Sequence, residues 1–324
     1  MNRREAIKNT LLGAGGVSYS LSQLPNINPF KHMFNENQPI GVQLFTIPKM
    51  VDTDLKGTLS LLNEIGYKEV EFFGPYPFSD PIAKEGWAQT KGMLGLSNDA
   101  FYGYTVQEVV QMLKDLTLTV PSMHTDILTL RNGLDKMLDE LAPFGASYLV
   151  LPALMDGRSS LDDYKKLVEE FNGFGEKMAA YDMKFVYHNH GYEHIEMDGE
   201  IPMDYLLTQT DPNYVAFELD IFWMSAAGAD PISYLKKYPD RYKLLHLKDA
   251  SEPVRFSGDG GTADQWMTEF PKMTDPGDGV LKVDEIVQVA QEIGVQHYYL
   301  ERDLAPQPEQ TLKNSFANLS SMRG

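Results

Sequence analysis

The sequence predicts an α/β fold, a single closed (β/α)8 barrel, on three observations. Short β-branched and aromatic runs alternate with helical patterns from Pro39 onward, and no low-complexity linker interrupts them. The 324 residues, 43% of them hydrophobic, match the size at which such barrels occur as one domain. The competing open sheet usually announces a glycine-rich phosphate loop after its first strand, and Gln43-Leu44-Phe45-Thr46-Ile47-Pro48 carries no glycine.

The predicted strands, in order, are Ile40–Phe45, Lys68–Phe73, Leu118–His124, Tyr148–Leu151, Lys184–Asn189, Val215–Asp220, Tyr242–Leu247 and His297–Glu301. Between the first three, Leu55, Leu59, Leu62 and Ile65 share one helical face, as do Val109, Val110, Leu113 and Leu116. The second helix opens on Thr105-Val106-Gln107-Glu108, a capping box that satisfies otherwise orphaned N–H groups. Further helices are predicted at Leu134–Leu141, Leu161–Met178, Pro202–Leu207, Pro231–Tyr238, Val283–Ile293 and Pro308–Leu319. One turn recurs: Glu64-Ile65-Gly66-Tyr67, Pro143-Phe144-Gly145-Ala146 and Glu292-Ile293-Gly294-Val295 each end a helix on glycine and enter a strand.

Ahead of the barrel, Arg3 and Arg4 precede a short, weakly apolar run from Leu11 to Val17. Paired arginines before such a run predict a twin-arginine export leader over residues 1–37, a barrel domain over 38–324 and a periplasmic location. The run is too short and too polar to remain as a membrane span. A formal net charge of −18 argues against nucleic acid and anionic membrane surfaces as partners. The chain has no cysteine, so disulfides, zinc thiolates and cysteine nucleophiles are excluded and any metal must be held by His, Asp and Glu.

Function in this fold gathers at the C-terminal ends of the strands. Strand five ends Tyr187-His188-Asn189-His190, strand six Glu218-Leu219-Asp220, strand seven His246-Leu247-Lys248-Asp249 and strand eight Leu300-Glu301-Arg302-Asp303. Four neighbouring strands thus bring His, Asp, His and Glu to one rim, a set suited to one divalent cation among Mn²⁺, Zn²⁺, Co²⁺ and Fe²⁺. Glu301 and His190 are the candidate bases. His124, Glu71, Trp223, Lys248 and Arg302 are the candidate substrate contacts at strand ends. Lys248-Asp249 reads equally well as a buried ion pair, and Glu193 and His194 as solvated groups beyond strand five.

These four runs, in this order, with Gly41-Val42-Gln43-Leu44 and Ile65-Gly66-Tyr67-Lys68-Glu69-Val70-Glu71 ahead of them, resemble the sugar phosphate isomerase/epimerase family of xylose isomerase-like TIM barrels. The resemblance covers nearly everything after Pro39. It implies one metal held by His188, Asp220, His246 and Glu301, and a homodimer. Epimerases of that family usually carry Glu where this chain has His188, which shifts weight from a two-glutamate epimerisation toward a one-base isomerase or a lyase. The His-Asn-His variant is similar to that of 3-keto-glycoside lyases.

The reading is therefore a metal-dependent isomerase or epimerase working through an enediolate formed by α-proton abstraction. Its alternatives are a 3-keto-glycoside lyase or hydratase and a non-catalytic sugar-binding barrel. The expected partner is a small sugar or glycoside. The stretch from Ser251 to Gly279, with Trp266, is expected to fold over the mouth.

Overall fold

The structure is a computed structural model that describes residues 38–98 and 101–322. The expected leader, residues 1–37, lies outside the described residues. Eight parallel strands form the wall of the barrel: β1 (Gly41–Gln43), β2 (Glu69–Glu71), β3 (Ser122–His124), β4 (Tyr148–Leu151), β5 (Lys184–His188), β6 (Val215–Asp220), β7 (Tyr242–Leu247) and β10 (His297–Leu300). Two residue pairs, β8 (Asp249–Ala250) and β9 (Met273–Thr274), make a small antiparallel ladder after β7. The wall runs in the order β2-β1-β10-β7-β6-β5-β4-β3. Its ends, β2 and β3, meet through the isolated parallel bridges Glu69–Thr119 and Phe72–Met123, so the ring is nearly closed.

Strand alternation divides the residues between two cores. Side chains at one parity, Tyr148, Val150, Val186, Ala216, Leu244 and Tyr299, fill the inside of the barrel as one cluster. Those at the other parity, such as Leu149, Phe185, Phe217, Leu245 and Leu300, join the larger core under the helices. The inside is narrow where Tyr299 crosses it. A Cβ on Gly41 would collide with that ring, so β1 needs glycine there. Continuing the inward parity toward the C-terminal ends reaches His124, His188, Glu218, Asp220, His246, Lys248 and Glu301, and this alternation is what assembles the site.

Most predicted helices are present, and several run longer than expected: Ile127–Leu141 begins seven residues before Leu134, capped by the Asp126 side chain on Thr129 N at 2.8 Å. The Thr105–Glu108 capping box forms with both reciprocal bonds. Gly66, Gly145 and Gly294 all take positive φ at their helix ends. Four helices escaped the sequence reading: Pro48–Thr53, Pro81–Leu94, Ile221–Ala227 and Ala263–Glu269. Pro81–Leu94 buries none of its side chains, so no periodic apolar face betrays it. The third predicted strand shrinks to Ser122–His124, with Thr119 bridging alone before Pro121 removes a donor. No helix among the described residues is long and apolar enough to cross a membrane.

Candidate metal centre and functional site

Register explains which groups meet at the mouth. Asp220 is directly beside His246 across β6 and β7, and His188 is beside Glu218 across β5 and β6. Past the end of β5 the Asn189 side chain takes over the ladder, accepting from Asp220 N at 3.0 Å and donating to Asp220 O at 3.2 Å. Asp220 then caps the next helix: its Oδ1 accepts from Phe222 N and Trp223 N, both at 2.9 Å, which leaves Oδ2 facing the barrel axis.

Asp220, His246 and Glu301 form a buried group whose ligand atoms all lie within 4.8 Å of one another. His246 Nδ1 is 2.7 Å from Glu301 Oε2 and 3.8 Å from Asp220 Oδ2, and His188 Nε2 is 3.6 Å from Asp220 Oδ2. Ligands around a tetrahedral cation with bonds of about 2.1 Å stand about 3.4 Å apart, so the two longer spacings suit shared coordination. Asp220 Oδ2 and His246 Nδ1 are buried and lack a well-directed hydrogen bond, as atoms kept for a ligand would. The donor set, nitrogen and carboxylate oxygen without sulfur, fits a divalent first-row cation.

Lys248 enters the same group. Its Nζ is 3.0 Å from Asp220, 2.9 Å from Glu301 and 2.6 Å from Asp303. Although burial disfavours its charge, these three carboxylates hold its pKa above the ordinary lysine range. Burial also pushes the Asp303 carboxyl up to about 7 against the pull of Lys248. The anticipated Lys248–Asp249 pair does not form. Asp249 instead accepts from the N–H groups of Ala250, Gly277, Gly279 and Leu281 at 2.8–3.0 Å, because the chain turns back at β8 and the next inward position goes to Lys248 alone.

Adjoining this group and sharing His246 is a second cluster that the sequence reading did not resolve. Glu218 Oε2 is 3.1 Å from His188 Nδ1 and 3.2 Å from His124 Nε2, while its Oε1 is 3.1 Å from His246 Nε2. Glu71 Oε2 lies 2.8 Å from His246 Nε2 and 3.0 Å from His124 Nε2, and accepts from Gln43 Nε2 at 2.9 Å. Ser122 donates to the other oxygen of Glu71 and lies 2.9 Å from the Tyr299 hydroxyl. Burial lowers the basicity of His124, yet the carboxylates of Glu71 and Glu218 hold its pKa up at about 9. Glu71 and His124 thus join Glu218 and His246 in one buried cluster. Glu218 was missed, although a glutamate inside the buried run Val215-Ala216-Phe217-Glu218-Leu219-Asp220, two residues from Asp220, had to point the same way.

His190 occupies the rim above His188, with ring centroids 4.9 Å apart. Burial first, then the His188 and Lys248 charges, push its pKa well below the usual imidazole value, and the Pro152 carbonyl bonds to its ring. Its Nδ1 is buried with no hydrogen-bond partner, so it is an uncommitted acceptor at the mouth. Trp223 stacks on one side of it at 5.8 Å and 18°, and Trp266 from the 263–269 helix approaches to 4.9 Å. The long excursion after β7 thus brings an aromatic side chain to the rim, where Trp266 Nε1 donates to Gly260 O at 2.6 Å.

Two further expectations need correction. Glu193 is fully buried rather than solvated; it caps the turn after β5 by accepting from Gly191 N at 2.8 Å and His190 N at 3.1 Å, with the Tyr187 hydroxyl at 2.6 Å. The Arg302 guanidinium is taken up by Asp275 at 2.7 Å and Thr311 at 3.3 Å, on the helical side of the wall, instead of facing substrate. The parity rule explains it, since Arg302 follows the inward Glu301. His297, placed at the opposite end by its position at a strand start, pairs there with Glu69 at 2.9 Å.

The fold recurs in solved structures. A sugar phosphate isomerase/epimerase from Parabacteroides distasonis is 25% identical, with a TM-score of 0.67 over 88% of this chain and 94% of that one. The IOLI protein with a binding zinc atom shares the fold at 14% identity and a TM-score of 0.63, covering 88% and 98%. Among curated proteins, the inosose dehydratase of Bacillus licheniformis is 24% identical across 77% of this chain and 81% of its own length. That of Lacticaseibacillus casei is 28% identical over 41% of this chain, and the match spans 44% of that protein. The family model described as xylose isomerase-like TIM barrel matches residues 59–321. The chain belongs to that family of barrels.

Proposed function

We propose that this protein is a divalent-metal-dependent enzyme that removes a proton next to a carbonyl of a sugar-like substrate and eliminates a neighbouring oxygen, a carbon–oxygen lyase or dehydratase. The observation that carries the reading is the meeting of Asp220, His246 and Glu301, with His188 beside Asp220 and the His190 ring, whose Nδ1 is free, packed against His188. These four residues would hold the cation, which supplies Lewis-acid stabilisation of negative charge beside the reacting carbon.

His190 takes the α-proton on Nδ1. The C–H electron pair becomes the new carbon–carbon double bond as the neighbouring C–O bond breaks. The same proton, passed on from Nδ1, leaves with the departing oxygen as water or an alcohol. Lys248 keeps Asp220 and Glu301 aligned, and Trp223 and Trp266 wall off water on either side of His190. Glu301 is less suited as the base, because Oε2 is already engaged by His246 and Lys248. The named dehydratases among the relatives support elimination. Isomerisation is the second reading, supported by the 25% identical Parabacteroides structure.

The experiment supplies Mn²⁺, Co²⁺ or Zn²⁺ to the purified chain with an inosose, a 3-keto-glucoside or a free ketose in D₂O, followed by NMR. Disappearance of the α-proton signal together with loss of water or aglycone is expected. In His190→Gln both fall by about 10²–10⁴-fold with bound metal unchanged. Interconversion of ketoses without elimination would replace the lyase by the isomerase. Sugar binding without exchange would remove enzymatic function altogether. Export to the periplasm is proposed separately and is checked by fractionating cells that carry Arg3 and Arg4 or lysines in their place.

A further inference from the structure

The two histidines of the proposed metal site present opposite ring nitrogens to it. His188 offers Nε2 toward Asp220, while His246 offers Nδ1 toward Asp220 and Glu301. An imidazole that gives one nitrogen to a cation must carry its proton on the other. In His188 that other nitrogen is Nδ1, and in His246 it is Nε2. Each meets a carboxylate: Glu218 Oε2 lies 3.1 Å from His188 Nδ1, while His246 Nε2 hydrogen-bonds Glu71 Oε2 at 2.8 Å and has Glu218 Oε1 beside it at 3.1 Å, without a directed bond.

We infer that Glu218 is a positioning residue that, with Glu71 on the His246 side, holds the two imidazoles in opposite tautomers, Nδ1–H on His188 and Nε2–H on His246, and so fixes which nitrogens are bare at the metal site. The inference rests on the metal reading above. Three observations favour it over a merely structural glutamate. Glu218 is fully buried on the inward parity of β6, two residues before Asp220, so one strand supplies both a ligand and the group that orients two others. Its Oε2 is within hydrogen-bond distance of both His188 Nδ1 and His124 Nε2, and its Oε1 faces His246. Its neighbour Glu71 reaches only His246 of the pair, at 2.8 Å, and so cannot substitute at His188. Carboxylates that accept from a ligating imidazole raise its basicity and hold its ring plane, and losing one typically costs 10- to 100-fold in metal affinity.

The full chain, labelled with ¹⁵N-histidine and loaded with Zn²⁺, tests the tautomers directly. Long-range ¹H–¹⁵N correlations are expected to show the proton on Nδ1 of His188 and on Nε2 of His246. The same tautomer in both rings would overturn the inference. Glu218→Gln tests its energetic weight. An amide has one acceptor oxygen and one NH₂ donor, so one ring must turn its N–H toward the metal site. Zn²⁺ affinity, measured by chelator competition, is expected to fall about 10- to 100-fold at unchanged stoichiometry. Equal affinity in variant and wild type would refute the inference while leaving the metal reading intact. Two Zn²⁺ in the wild type and one in Glu218→Gln would make Glu218 a ligand, which also refutes it. A wild type that binds no Zn²⁺ at all would instead strike at the metal reading itself. Should the variant not fold, the tautomer measurement on the wild type decides alone.

Discussion

Both ends of this barrel set an imidazole against a glutamate, yet only one end builds a site. At the strand starts His297 faces Glu69 at 2.9–3.0 Å, and the ring is partly open to solvent. At the strand ends His246 is fully buried and stands within 4 Å of Glu71, Glu218, Asp220 and Glu301, which come from three other strands. The residue types are the same, and the difference lies in how many strands aim acids at one ring. The lower pair is one partly buried imidazole against one buried carboxylate, with no further acid aimed at the ring among the described residues. A buried imidazole among four carboxylates sits in a field that water cannot screen, and that field attracts a cation of higher charge.

The sharpest way to break the comparison is to remove a histidine from the mouth. His246→Ala is expected to lower bound metal from about one equivalent to nearly none and activity by more than about a hundredfold. Element analysis of the purified variant checks it, and unchanged metal content would place the site elsewhere. Next in size is Lys248→Met, which strips Asp220, Glu301 and Asp303 of their shared ammonium. In the metal-free protein it should cost about 3–5 kcal/mol in urea unfolding, because uncompensated buried carboxylates remain. Saturating Mn²⁺ should restore part of that loss, and a variant as stable as wild type without metal would show that the lysine is dispensable.

A smaller effect comes from a histidine with no carboxylate in hydrogen-bond reach. Burial lowers the His194 pKa to about 4, with the Tyr234 hydroxyl at 3.2 Å as its partner. The unfolded chain takes up that proton at about pH 6.5, so the stability is full above that value and declines as pH falls toward 4. Allowing for partial exposure, the decline amounts to about 2 kcal/mol. The difference between wild type and His194→Gln in urea midpoint should shrink across that window, and a constant difference would show that the ring titrates normally. The least effect on the site belongs to the lower end: His297→Gln should leave bound metal at the wild-type level in element analysis.

Much of this was legible in the sequence because strand parity is a strict rule. Seven of the eight wall strands were placed to within two residues of their ends by their apolar runs, and the rim residues followed from where those runs stop. Hidden from that reading were the partners. Glu71, His124 and Glu218 share the inward parity with Asp220 and Glu301, and a linear pattern records facing without recording which inward side chains meet. Lys248 shows the same limit in another form, since its choice of Asp303 over the adjacent Asp249 depends on a chain reversal at β8. Short helices such as Ile221–Ala227 were masked by the strand that precedes them, because a buried helix and a buried strand are both continuously apolar over seven residues.

The knot of bonds around Asp249 has a consequence for how such barrels diversify. One carboxylate gathers four backbone N–H groups, from Ala250 on one side and Gly277, Gly279 and Leu281 on the other, and a Cβ on Gly279 would collide with it. The roughly two dozen residues in between are cinched at the neck like a purse. Within the pouch Val254, Phe256 and Met273 pack on Phe222, Trp223 and Ala226, so exchanging it between relatives together with those partners should transplant substrate preference while the strands keep their register.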